Sequence, residues 1–130
     1  MKKILFCLTL LAVIFTVSAA FATDGVVNPD AVFASYPKFA QAQKQLAALA
    51  QQKDAEIRAE KDENKRRQLR QQAAQQIAAE EQRLMGPVLK EVHDAIAKVA
   101  KAKKLIMVHN MGTVYYGGVD ITKDVIAALK

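Results

Sequence analysis

Between residues 38 and 85 the chain has neither glycine nor proline and consists mainly of Ala, Gln, Lys, Glu, Arg and Leu, the strongest helix formers. Only Ile57 and Ile77 in this stretch are β-branched. As one straight helix it would extend about 70 Å at 1.5 Å per residue. It must therefore be an isolated rod or turn back on itself, and the spacing of the apolar residues bears on which.

On the outward leg the apolar positions are Phe39, Ala42, Leu46, Leu49 and Ile57. On the return they are Leu69, Ala73, Ile77, Leu84, Val88, Val92, Ile96 and Val99. Both sets mostly step by three or four. Folding the chain about Glu63 places Ile57 beside Leu69, Lys53 beside Ala73, Leu49 beside Ile77 and Ala42 beside Leu84, leaving Leu46 opposite Glu80. Two apolar seams then meet, which predicts an antiparallel helical hairpin. A continuous rod or parallel coiled coil is the alternative, because periodicity does not by itself reveal a turn.

The predicted tip, residues 61–66, is wholly polar; Asn64 tolerates a left-handed turn and Asp62 can bond nearby backbone. The outer arm has little to bury, since Ile57, Leu69, Ala73 and Ile77 are nearly all its apolar content. A buried Leu or Ile contributes about 1.5 to 3 kcal/mol, while ordering one backbone residue costs about 1 to 2 kcal/mol, so arms that bend and fray are expected. Pro37 and Pro87 lie nearly opposite each other at the base, where Pro87 must remove one helical hydrogen bond and favours a kink.

Ahead of the arm, Met1-Lys2-Lys3 leads into an apolar run over residues 4–17, closed by Ala20-Phe21-Ala22. This predicts an export signal at residues 1–22, cleaved after Ala22, and the run is too short to span a bilayer comfortably. Cleavage would remove Cys7, the single cysteine, and with it any disulfide or thiol nucleophile. Loss of Lys2 and Lys3 would bring the formal net charge from +6 to about +4. That mild excess and the missing zinc-finger, RNP and basic-zipper patterns argue against nucleic acid as a partner.

Beyond the arm, Leu105-Ile106-Met107-Val108 and Thr113-Val114-Tyr115-Tyr116 resemble two strands, the first apolar on both faces, with Gly117-Gly118 as a turn. Val26-Val27 suggests a further short strand before Asn28-Pro29 opens a helix. Val119-Asp120-Ile121-Thr122 suggests an edge strand, with Thr122 capping a last helix over residues 123–130. The predicted fold is α+β: an arm over residues 38–86 on a small head made from residues 23–37 and 87–130. Its expected core, intramolecular or between subunits, is Val26, Val27, Leu105, Ile106, Met107, Val108, Val114, Tyr116 and Ile121.

The leader, the Val-Val strand, the Ala/Gln/Lys-rich hairpin, Pro87-Val88-Leu89, Lys98-Val99-Ala100-Lys101 and the closing Asp120-Ile121-Thr122-Lys123-Asp124-Val125-Ile126 together resemble the Skp/OmpH family of periplasmic chaperones. The resemblance spans nearly all of the chain after the leader, with the closing motif its most specific part. It implies a homotrimer whose strands form a β-barrel head, with hairpins around a cavity that holds unfolded outer-membrane proteins without ATP. The arms are shorter than in better-known members, and Asn28-Pro29 cuts the first strand short.

Lys61, Lys65, Arg66, Arg67 and Arg70 form a basic run at the predicted tip that can meet anionic lipid, lipopolysaccharide or acidic client segments, or simply be a solvated helix face. His93 has Leu89, Lys90, Ile96 and Ala97 at helical spacing, which is no metal site. His109 can reach Asp120 for a structural hydrogen bond. Ser35 is the one serine after the leader, so no nucleophile, base and orienting acid are at hand. No catalysis and no cofactor are expected. An ATP-independent holdase is the leading reading, and a structural coiled-coil spacer of the envelope is the alternative.

Overall fold

The computed structural model describes residues 23–130, and the predicted leader lies outside them. Strand β1 (Gly25–Val27) is followed by helices α1 (Pro29–Ala34), α2 (Pro37–Ala59) and α3 (Glu63–Ala102), strand β2 (Val108–Asn110), a 3-10 turn (Met111–Thr113), strand β3 (Val119–Asp120) and helix α4 (Thr122–Ala128). The described chain is mostly helical with a small parallel sheet, and its two long helices fit a helical hairpin.

Prolines open both early helices, where a missing N–H costs nothing. Asn28 caps α1, its Oδ1 accepting from Ala31 N at 3.2 Å. Tyr36 is extended (φ −100°, ψ 108°) and separates α1 from α2. The arm turns at residues 60–62, slightly before the expected Glu63, which instead begins α3. Asp62 explains the shift: its side chain accepts from Lys65 N at 2.9 Å and caps the return helix. Glu60 Oε1 accepts from Asp62 N at 2.8 Å, and Arg66 Nε donates to the Glu60 carbonyl at 3.2 Å. With the turn closed this way Asn64 is helical, and the left-handed turn it could tolerate is not used. Among the described residues the one non-glycine with positive φ is Lys104 (φ 55°).

Ala42 and Ala73 are buried between the arm helices, and Leu46, Leu49, Ile57, Leu69, Ile77 and Leu84 are half-buried. Lys53 lies in this seam with its side chain 19% exposed, its stem covered while its ammonium reaches Glu56 at 3.1 Å. Helix α3 continues through Pro87 for 40 residues.

The dense packing is at the base. Val27, Val32, Tyr36, Val88, Val92, Ala95, Val99, Ile121 and Val125 form one buried cluster, edged by Phe33, Phe39, Ile96, Leu105 and Leu129. Val32, Ile121 and Val125 are fully enclosed. The cluster joins α1, the lower part of α3 and α4 to the central strand.

The sheet has the order β2-β1-β3, and both pairings are parallel. Val26 is level with His109 on one side and Asp120 on the other. Two expectations fail here. Leu105, Ile106 and Met107 are not in a strand; they form the exit from α3, where Lys104 adopts the left-handed conformation and Leu105 N donates back to the Ala100 carbonyl at 2.9 Å. Nor is 113–116 a strand, because Asn110 caps the 3-10 turn and leaves Val114-Tyr115-Tyr116 as an irregular loop. Gly117 and Gly118, expected as a turn, are irregular backbone leading into β3, both with φ near 90°. A Cβ at Gly118 would lie 2.8 Å from Val26 Cγ1, so only glycine lets this loop close over the central strand.

Candidate functional surfaces

The C-terminal tail closes the head through one hydroxyl. Thr122 does not cap α4 with its side chain, as the sequence suggests; it is the first residue of that helix. Its buried Oγ1 donates to Asp120 Oδ1 at 2.6 Å and accepts from Asn28 N at 2.9 Å, while its own N–H donates to the same Asp120 oxygen at 2.9 Å. Ile121 N donates to the Val26 carbonyl at 2.9 Å. The tail thus bonds to both ends of the β1–α1 junction.

The Thr122 hydroxyl, helped by the Thr122 N–H and by nearby Lys123, holds the Asp120 carboxyl below the ordinary aspartate range against a small opposing effect of burial. A carboxyl lowered on folding stabilises the fold above its unfolded pKa, near 4, and loses that contribution as pH falls through its folded value. Thr122→Val, which strands the Asn28 N–H, should cost about 1 to 3 kcal/mol, and Asp120→Ala about 1 to 2 kcal/mol. Urea unfolding would measure both. Asp120→Asn keeps the acceptor oxygen, so its deficit against wild type should be full above about pH 4 and shrink as pH falls through the lowered folded value of Asp120. A deficit independent of pH would count against this role for the charge.

His109 does not reach Asp120. The parallel register puts β1 between them, and His109 Nε2 lies 3.2 Å from Asp24 Oδ2 at the start of β1. His93 is exposed, with its Nδ1 3.9 Å from Asp94 Oδ1. Among the described residues no group of three or more His, Cys, Asp or Glu is placed to hold a metal ion.

The expected head core divides in the single chain. Val26, Val27 and Ile121 are buried, and Leu105, Val108 and Val114 are half-buried. Ile106 is 63% exposed, Met107 55% and Tyr116 98%. Tyr115, expected in a strand but not in the core, is fully exposed beside Tyr116. These side chains border a sheet whose outer strands each pair on one side only, within the described residues.

At the tip, the structure separates Arg66 from its basic neighbours. It is half-buried, bonds the Glu60 carbonyl and pairs with Glu63 at 3.2 Å, so its charge is spent on the turn. Lys61, Lys65, Arg67 and Arg70 are exposed, with no ion pair to any described residue.

A contact the sequence did not reveal lies at the arm's base. Glu91 on α3 accepts from the Tyr36 hydroxyl and from Lys38 Nζ, the latter at 2.8 Å to both oxygens. The juxtaposition comes from residues more than fifty positions apart, and no local pattern marks it.

A long two-helix arm rising from a small head of parallel strands and short helices places the chain in the class of hairpin-on-head proteins. Residues 60–129, more than half of the chain, match the profile of the family described as outer membrane protein (OmpH-like), and the chain belongs to that Skp/OmpH family. It is a family of chaperones rather than enzymes, which assigns the chain a chaperone-type role at that level. Comparison with curated proteins finds no match.

Proposed function

We propose that the chain is exported to the periplasm, loses residues 1–22, and acts there as an ATP-independent holdase for unfolded outer-membrane proteins. Three copies join through their head sheets, and clients are held between the arms. The observation that carries the reading is that one family match runs from the turn of the arm through α3 to the last helix. What the chain has in common with that family is therefore the returning arm helix together with β2, β3 and the last helix, and a simple coiled-coil spacer would not need those strands and that last helix. The exposed Ile106, Met107, Tyr115 and Tyr116 beside open sheet edges support assembly, since large exposed apolar surfaces mark interaction sites. The thinly packed outer arm supports adaptable binding through many weak contacts.

The test dilutes a denatured outer-membrane barrel protein into buffer with the leader-free chain and follows light scattering. Suppression of aggregation at near-stoichiometric ratio without ATP is expected. If nothing is suppressed while circular dichroism shows intact helices, the chain is an envelope spacer. The exposed tip cations suit anionic lipid or lipopolysaccharide. Replacing Lys61, Lys65, Arg67 and Arg70 by Gln should weaken binding to anionic vesicles and flatten its salt dependence. Unchanged binding would remove the tip from the proposal.

A further inference from the structure

Four lysines crowd the end of the head farthest from the tip of the arm. Lys101 is in the last turn of α3, Lys103 and Lys104 form the exit from it, Lys123 is in the first turn of α4, and all four are exposed. Lys103 Nζ pairs with Asp124 at 3.3 Å, which fixes the start of α4 against the end of α3 and brings the four together. Lys101, Lys104 and Lys123 make no ion pair with any described residue. The carboxylates of this end are each engaged: Asp124 with Lys103, Asp120 with Thr122 and Asp24 with His109.

Folding accounts for two of these lysines and not for the other two. The negative pole of α3 favours a cation at Lys101, and Lys103 has its partner in Asp124. Lys104 has φ 55°, a conformation that glycine would adopt without strain. Lys123 stands at the positive pole of α4, where a cation is disfavoured, and its pull on the Asp120 carboxyl is the weakest of the influences on that group. What Lys104 and Lys123 add is positive charge at the surface.

The place where the chain enters the head shows what that charge faces. Ile106 N donates to the Thr23 carbonyl at 3.1 Å, so the described chain begins beside the exit from α3. The apolar run of the leader ends at Val17, and the five residues 18–22 reach at most about 17 Å when fully extended. If that run enters a bilayer during export, the lysine end of the head emerges next to the membrane. The tip is at the other end of α3, about 60 Å away at 1.5 Å per residue. Screening acts over about 8 Å, so the two basic ends act independently. A lysine ammonium is a compact point charge without the fork of arginine, which suits a diffuse sheet of headgroup phosphates rather than one clamped phosphate.

We propose that Lys101, Lys104 and Lys123, held together by the Lys103–Asp124 pair, form a docking face for the anionic phospholipid bilayer that the leader enters, keeping the chain at that surface, head first, after the leader is cut. The proposal rests on the export reading and not on the holdase one. Export is checked separately, by the N-terminal residue of the protein recovered from cells, and vesicle binding is measured without it.

The experiment uses the leader-free chain with Lys61, Lys65, Arg67 and Arg70 already changed to Gln, so that the tip makes no contribution. Sedimentation with phosphatidylcholine vesicles containing about one third phosphatidylglycerol reads the bound fraction. Binding that falls steeply with salt and is absent on pure phosphatidylcholine is expected. Adding Lys101→Gln, Lys104→Gln and Lys123→Gln should lower the partition coefficient about a hundredfold, roughly fivefold per lysine, and Arg at the same three positions should restore it. Lys44→Gln, Arg58→Gln and Lys90→Gln together remove the same charge from elsewhere on the exposed surface and should lower it less than about threefold. Circular dichroism should be the same for every variant. No vesicle binding by the tip-neutral chain, an undiminished partition in the Lys101/Lys104/Lys123 variant, or an equal loss in the control would overturn the docking face. Capture of soluble polyglutamate without vesicle binding would assign the lysines to an acidic protein and overturn it as well.

Discussion

Ile121→Ala should cost the head about 2 to 5 kcal/mol, because the side chain is fully enclosed and the surroundings cannot collapse into the gap. Small domains have only about 5 to 15 kcal/mol in total, and one kcal/mol moves the melting temperature of a domain this size by about 4 to 8 °C. A fall of at least about 8 °C is therefore expected. Ile121 stands where three constraints coincide: its N–H bonds the central strand, its neighbour Thr122 ties down α1, and its side chain fills the cluster between β1, α3 and α4. Ile57→Ala in the half-buried outer arm removes the same atoms but should cost only about 1 kcal/mol. Urea denaturation followed by far-ultraviolet circular dichroism for the arm and tyrosine fluorescence for the head would compare them. Equal losses at the two sites would refute the division into a firm base and a loose arm.

That division was legible in the sequence because helical periodicity is local. The seam of Ala42, Ala73 and the half-buried leucines and isoleucines could be paired by spacing alone, and Asn28-Pro29 announced α1. The turn was misplaced by a few residues because the decisive fact, capping by Asp62, competes with an equally plausible left-handed Asn64. Neither can be chosen without the backbone. The sheet was much less legible. Its strands have two or three residues and pair in parallel across more than eighty positions, so no hairpin turn marks the register. The apolar run Leu105-Ile106-Met107 has the composition of a strand but is consumed by the reversal at Lys104, where a lysine takes a conformation usually given to glycine. The networks around Thr122 and Glu91 depend on distant residues meeting, and composition is silent about both.

If copies join through the head sheet as proposed, exchanging Ile106 and Tyr116 for Asp should reduce the protein to single chains while leaving the fold intact. The two parts of this outcome follow from the same observation. In one chain both side chains face solvent, Tyr116 almost completely, so a charge there costs little folding energy. If copies join through the open edges of β2 and β3, those positions become buried, and an unpaired carboxylate removed from water is strongly unfavourable. Central interface residues commonly contribute 2 kcal/mol or more each, so the pair should weaken association by at least about a hundredfold. Light scattering on a column, run beside circular dichroism, reads mass and folding together. Wild type should elute with the mass of three copies at micromolar concentration. The double variant should elute as one copy with an unchanged helical spectrum. An unaltered mass would move the interface away from the head sheet, and a single-copy wild type would leave the exposed tyrosines without the partner proposed for them. The arm offers a control: Leu89→Asp, also exposed but on α3 well away from the strands, should leave the mass of the assembly unchanged.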